Sequence, residues 1–212
     1  MDAPLGKVRG EILAPALPAA WLIATQAQPA NLPERSELRR SLARKLLARQ
    51  FGLVEDAVEI GHEPAGRPLI LRPRGSGLHL SLATRSGLVA IALAHRPVGI
   101  DVEQVALANE PPLAALHPEE RRWLKGLPAS ARPLAFAQLW SAKEAYVKAL
   151  GTGFSRAPES FSVQLDGAER FTVSDEQDGR RADGALRLAK NGGHEIMAAA
   201  IVINGQAGLQ PA

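Results

Sequence analysis

The stretch Leu134-Ala135-Phe136-Ala137-Gln138-Leu139-Trp140-Ser141-Ala142-Lys143-Glu144-Ala145-Tyr146-Val147-Lys148-Ala149-Leu150 reads as the strongest helix of the sequence, and Gly151-Thr152-Gly153 closes it. Glu144 sits inside this helix, and Lys148, four residues on, shares its face, whereas Lys143 points elsewhere. Upstream, Val98 to Val102 reads as a strand that ends in Asp101-Val102-Glu103. Asp101 and Glu103 are one residue apart on that strand, so their carboxylates point the same way. Three acids with no Cys or His beside them suit a hard cation, and Mg²⁺ is the usual one where phosphates react. On its own, Asp-x-Glu describes ordinary surface acids, and Glu144 with Lys148 describes a helix i,i+4 pair.

Outward from that segment the chain reads as short strands around two long helices. A first helix runs from about Pro33 to Phe51, with Leu38, Leu42, Leu46 or Leu47, and Phe51 at helical spacing and Gly52 as its stop. Arg35, Arg39, Arg40, Arg44, Lys45 and Arg49 occupy its other faces. Strands are expected at Ala20 to Thr25, Val58 to His62, Leu78 to Leu82 and Leu88 to Ala94, and Glu63 to Gly77 is turn-rich. In the second half His117-Pro118-Glu119-Glu120 opens a helix. Strands then follow at Phe161 to Leu165, Phe171 to Ser174, Leu186 to Ala189 and Glu195 to Ile203. Ala106 to Ala115 reads as a loop, Asp175 to Asp183 as a polar turn, and Asn204 to Ala212 as a frayed end. This order predicts an α+β fold of two similar halves, 1–96 and 97–212, related by a pseudo-two-fold with the active site at their interface.

Composition narrows the function. In 212 residues, 46% are hydrophobic and none is Cys, which excludes disulfides, Cys-based zinc sites, iron–sulfur clusters and a thiol nucleophile. No apolar run approaches the roughly 18 residues of a membrane span. One Lys, one Arg and a Pro-broken stretch (Ala14 to Ala20) do not read as a signal peptide. A soluble, cytoplasmic protein without a membrane partner is expected. The isoelectric point near 9.6 invites a nucleic-acid reading, yet the net charge is only +3. Most cations are Arg, with one Tyr and no Cys, so little titrates just above neutrality. Basic residues are not interleaved with aromatics, and no nucleic-acid motif appears. The distribution is more telling: residues 1–96 carry 13 Lys and Arg against 8 Asp and Glu, and residues 97–212 carry 12 against 14. A basic half suits an anion and an acidic half suits a cation. The five histidines lack metal spacing, and Trp21, Trp123, Trp140 and Tyr146 read as packing residues.

Taken together, Gly99-Ile100-Asp101-Val102-Glu103 and, about 40 residues later, Trp140-Ser141-Ala142-Lys143-Glu144-Ala145-Tyr146-Val147-Lys148 resemble the G-x-D-x-E and W-[ST]-x-K-E-[AS]-x-x-K motifs of the 4'-phosphopantetheinyl transferase superfamily. Pro158-Glu159-Ser160-Phe161-Ser162-Val163 and Gly66-Arg67-Pro68 extend the likeness to its surfactin-synthetase-activating type, over roughly residues 33–203. The resemblance implies transfer of the phosphopantetheine arm of coenzyme A to a serine of an apo carrier protein (acyl, peptidyl or polyketide type), with Mg²⁺ and release of 3',5'-ADP. It implies Asp101, Glu103 and Glu144 as metal acids. Glu144, directly or through water, becomes the base, and Lys148 becomes the phosphate contact and second catalytic residue. Arg35, Ser36 and Arg67 would face the nucleotide.

One departure stands out. Where the superfamily typically has N-x-S-H-S, this sequence reads His79-Leu80-Ser81-Leu82-Ala83-Thr84-Arg85-Ser86-Gly87. Counting back from Asp101 puts Thr84 at the His, with Arg85 beside it as a bidentate phosphate ligand. Another register puts Ser81 on the family Ser and Leu82 in place of the His. The altered position leaves a rival reading, a catalytically weak homologue that binds coenzyme A or a carrier without transfer. A monomer is expected of an internally duplicated chain.

Overall fold

A computed structural model describes residues 16–27, 29–106, 112–152 and 155–203. Gly153 and the frayed end lie outside them, as do the first two residues of the Pro-broken stretch and much of the expected 106–115 loop.

Alternation along two strands sets the architecture. In β5 (Leu88–Ala94), Val89, Ile91 and Leu93 face one core, and Leu88, Ala90, Ala92 and Ala94 face another. In β10 (His194–Val202), Met197, Ala199 and Ile201 face a third core, and Ile196, Ala198, Ala200 and Val202 meet the small residues of β5. The shared central layer is rich in alanine, so two sheets approach closely. Each outer face carries a helix: α1 (Leu32–Phe51) through Ala43, Leu47 and Ala48, and α3 (Arg132–Leu150) through Ala142, Ala145, Tyr146 and Ala149. The layers therefore run helix, sheet, sheet, helix.

Connectivity repeats across the two halves. In the first sheet, β1 (Ala19–Ala24) pairs with β5, which pairs with β4 (His79–Arg85), all antiparallel. In the second, β6 (Val98–Gln104) pairs with β10, which pairs with β9 (Arg180–Asn191), and β8 (Arg170–Asp175) and β7 (Ser162–Asp166) extend it. In both halves the first strand joins the last, and the last joins the one before. A small hairpin of β2 (Glu59–His62) and β3 (Pro68–Arg72) follows α1, and α2 (Pro118–Gly126) precedes α3.

Local chemistry sets the helix ends. The Asn31 side chain accepts from the Glu34 N–H (2.9 Å), and α1 stops at Gly52 (φ 65°). The His117 backbone N–H donates to Glu120 (2.9 Å) in a capping box that opens α2.

Three expectations change. The polar turn expected over Asp175 to Asp183 contributes the first four residues of β9, because Arg181 and Asp183 lie exposed on the open face of the sheet while Ala182 and Gly184 turn inward. The turn-rich stretch after Glu63 contains β3, a short Leu69-Ile70-Leu71 run between two turns. Trp123, expected to pack, is 44% exposed on α2. No helix of the described residues is long and apolar enough to cross a membrane.

The tightest joint lies between α3 and β6. A Cβ placed on Gly99 would sit 1.8 Å from the Ala145 carbonyl oxygen and 2.7 Å from the Ala149 nitrogen, so helix backbone rests directly on strand backbone. Gly99→Ala is expected to destabilise the chain by about 3 kcal/mol, the upper range for overpacking against an immovable neighbour. Urea unfolding at unchanged m value measures it.

Candidate active site

The alternation of β6 sorts its motif by face. Val98, Ile100 and Val102 enter the central alanine-rich layer. Gly99, Asp101 and Glu103 therefore share the opposite face, the one on which α3 lies. Ala145 and Ala149 make the contact at Gly99, and Glu144 and Lys148, one residue earlier in each turn, lie alongside it. Lys148 Nζ reaches Asp101 Oδ1 at 2.6 Å and donates to the Ile100 carbonyl at 3.3 Å. Burial first, then the charge of Asp101 and more weakly that of Glu103, push the Glu144 carboxyl above the usual carboxylate range, and Lys148 opposes them.

Glu144, Val147, Lys148 and Gly151 form one wall of a cleft of about 270 Å³. The facing walls come from the first half: Ser36, Arg39 and Arg40 of α1, Arg67 and Pro68 of the hairpin, and Ser81 and Leu82 of β4. Arg67 is gripped by Glu63 through two bonds, Nε to Oε2 at 3.0 Å and Nη2 to Oε1 at 2.8 Å. Its guanidinium also lies against Gly151, where an added Cβ would meet it at 2.8 Å. Arg39 donates to Ser36 Oγ (3.0 Å) and has no carboxylate partner among the described residues. Burial and the charges of Arg40 and Arg35 lower its proton affinity. A half-buried guanidinium crowded by like charge is a place for an anion. The sequence reading chose Arg35 and Ser36 on this helix and passed over Arg39, although a spacing of three from Ser36 puts it on the same face.

The remaining expected residues lie in a second recess. Arg35, Thr84 and Arg85 line it with Ser86, Gln104, Asn191 and His194, among others. Thr84 Oγ1 donates to the Leu88 carbonyl (2.9 Å), and Arg85 Nε lies 3.0 Å from Glu103 Oε1. Thr84 and Leu82 lie on the same face of β4, so the two registers lead to neighbouring recesses: Ser81 and Leu82 to the first, Thr84 and Arg85 to the second. Ser81 is also a brace, since its Oγ accepts from the Ile100 N–H (3.1 Å) and ties β4 to β6.

Asp101, Glu103 and Glu144 offer only oxygens, the donor set a hard cation takes. Burial chiefly, and the nearby charges of Asp101 and Glu103 after it, raise the proton affinity of Glu144 there. In donor chemistry the three acids fit Mg²⁺. As the side chains stand, no three acidic or imidazole groups among the described residues gather closely enough to hold a metal. Asp101 and Glu103 are instead each engaged by a cation of the chain.

On the far face of α3, Lys143 is fully buried. It pairs with Glu120 (2.8 Å), donates to the carbonyls of Pro158 (2.8 Å) and Phe161 (2.7 Å), and lies 4.4 Å from the Phe161 ring centre. Burial lowers its proton affinity and Glu120 restores part of it. Tyr146 donates to Asp175 (2.9 Å), which also takes Arg156. These groups hold the 155–163 segment to the helix.

Comparison with known proteins gives one consistent picture. A family model described as the 4'-phosphopantetheinyl transferase superfamily matches residues 97–200. The 4'-phosphopantetheinyl transferase gsp of Aneurinibacillus migulanus is 27% identical over 134 residues, 61% of this chain and 53% of that protein. The 4'-phosphopantetheinyl transferase HetI of Nostoc sp. is 30% identical over 125 residues, 57% and 53% of the two chains. The 4'-phosphopantetheinyl transferase Sfp of Bacillus subtilis is 28% identical over 132 residues, 62% and 58%. The chain thus spans little more than half the length of these relatives. A solved holo-[acyl-carrier-protein] synthase of Thermotoga maritima matches 51% of this chain and 64% of its own at 21% identity and a TM-score of 0.38, a likeness too slight to bear on the fold.

The Lys143 contacts assign it to structure. Lys143→Met strands the Glu120 carboxylate in the core and is expected to cost about 3–5 kcal/mol. The double variant Lys143→Met, Glu120→Gln should recover part of that loss. Urea midpoints of the single and double variants measure both.

Proposed function

We propose that the chain is a 4'-phosphopantetheinyl transferase of the superfamily whose model matches residues 97–200, and that it moves the phosphopantetheine arm of coenzyme A onto a serine of an apo carrier protein and releases 3',5'-ADP. What carries the reading is one juxtaposition: Glu144 and Lys148 of α3, beside Asp101 of β6, form one wall of a cleft whose other walls supply Ser36, Arg39, Arg40 and Arg67. An acidic wall facing a basic one suits a polyphosphate held with a cation.

In this reading the two halves, 1–96 and 97–212, divide the work across a duplicated architecture, and the reaction runs between them. Arg35, Ser36 and Arg67, with Arg39 added, receive the nucleotide and its phosphates. Thr84 and Arg85, expected at the 3'-phosphate, line the second recess rather than this cleft. Asp101, Glu103 and Glu144 would hold Mg²⁺, which when bound neutralises pyrophosphate charge. Glu144, whose proton affinity is already raised, takes the proton of the carrier serine, directly or through water. Lys148 steadies charge on the leaving phosphate. The carrier is acidic around its serine and is steered by the basic half. The protein works in the cytoplasm as a monomer.

The decisive assay is incubation with coenzyme A, Mg²⁺ and a panel of apo carrier proteins, followed by intact-mass measurement. The expected result is a gain of one phosphopantetheine arm on the carrier. Coenzyme A binding with no gain on any carrier would overturn transfer and leave the weak-homologue reading, to which the Thr84 hydroxyl, already donated to a backbone carbonyl, lends its support. Asp101→Asn is expected to cut transfer by roughly 10²–10³-fold while thermal unfolding stays near that of the parent chain.

A further inference from the structure

Each acid on the exposed end of β6 has its own cation. Lys148 engages Asp101, and Arg85 engages Glu103, whose Oε1 also accepts from the Gln104 N–H at 2.8 Å. Glu144 makes no ion pair among the described residues. The Arg85 contact is one rung of a braced corner. The next residue, Ser86 (φ 47°), donates through Oγ to Gln104 Oε1 at 2.7 Å, so residues 85 and 86 meet residues 103 and 104 in step. Asn191 Nδ2 donates to the Ser86 carbonyl (3.0 Å), and Gln104 Nε2 lies 3.1 Å from His194 Nδ1. Three elements thus fix the turn that delivers the Arg85 guanidinium to Glu103.

We infer that Arg85 is the counter-ion of Glu103 rather than a phosphate ligand: a positioning residue that, with Lys148 on Asp101, neutralises the acid face of β6 while no divalent cation is bound. The inference rests on the reading of Asp101, Glu103 and Glu144 as metal acids. A divalent cation and the two side chains compete for the same carboxylate oxygens, so Arg85 weakens cation binding in the empty protein. Lys148, once off Asp101, still lines the phosphate cleft and is free to turn into it. Cation and polyphosphate then favour one another, and that coupling is reciprocal.

The test is titration of the full chain with Mn²⁺, without coenzyme A, following free Mn²⁺ by electron paramagnetic resonance. Arg85→Gln is expected to bind Mn²⁺ up to about fivefold more tightly, the scale of a partly exposed ion pair. Arg85→Lys, which keeps the charge, should return the affinity to the parent value. An unchanged or weaker affinity in Arg85→Gln overturns the inference. A second measurement compares binding of 3',5'-ADP with that of 5'-AMP. The counter-ion role leaves their ratio unchanged in Arg85→Gln, whereas loss of the preference for the 3'-phosphate overturns it. Carrier modification separates this from the proposed activity. Transfer by the parent chain with no Mn²⁺ response to Arg85 defeats the counter-ion role alone. A Mn²⁺ response without transfer to any carrier defeats the enzyme alone.

Discussion

The backbone-to-backbone contact of α3 on Gly99 is the constraint on which the rest of the site depends. A helix held off a strand by side chains sits about 10 Å away, and its polar groups reach the strand only by long, mobile stems. Here the absence of one side chain, met by two alanines on the helix, brings Glu144 and Lys148 down beside Asp101. The motif Gly99-x-Asp101-x-Glu103 is then one object: a strand face on which the glycine seats the helix and the acids meet what the helix carries. Three residues of period two do structural and chemical work together because they cannot face different ways.

How much of this was legible in the sequence follows from the range of the interactions. The two long helices and the strands β5, β6 and β10 could be read because hydrophobic period and terminating glycines are local signals. The pairing of Asp101 with Lys148, 47 residues away, came within reach only through the resemblance, and even then as a metal acid and a phosphate contact rather than as partners. The start of β9 was hidden because Arg180 to Asp183 alternate polar and small on an open sheet face, a pattern that in one dimension is indistinguishable from a turn. β3 was missed because five residues between two turns are too few to establish a period. Arg39 was passed over because a helix with six cations gives no sequence clue to which one loses its solvent.

Buried charge divides sharply by face along α3. Lys143 and Glu144 are neighbours in sequence, yet one ends in a closed cage of two carbonyls, a carboxylate and a ring, and the other ends at an open cleft. The cage is satisfied, so it holds the 155–163 segment firmly and has nothing left to offer a ligand. The cleft is strained in both signs, with Glu144 raised in proton affinity by burial and then by neighbouring acids, and Arg39 lowered by burial and then by neighbouring cations. Burying charge beside like charge destabilises a fold, and a site retains that arrangement when a ligand of opposite charge relieves it.

The uneven charge of the chain gains a finer meaning from these contacts. Counted by halves, the first half is the basic one and the second the acidic one. In space the separation is incomplete. Arg85 belongs to the basic half and neutralises an acid of the other, and Lys148 belongs to the acidic half and lines the cleft the basic half builds. Arg85 therefore crosses the joint and Lys148 pairs within its own half, and both cations land on the same strand. Cations placed in this way keep the carboxylates from repelling one another across a rigid strand-and-helix contact that has no room to spread. The closeness imposed at Gly99 gathers the acids on one small surface, and the same closeness makes internal counter-ions necessary there.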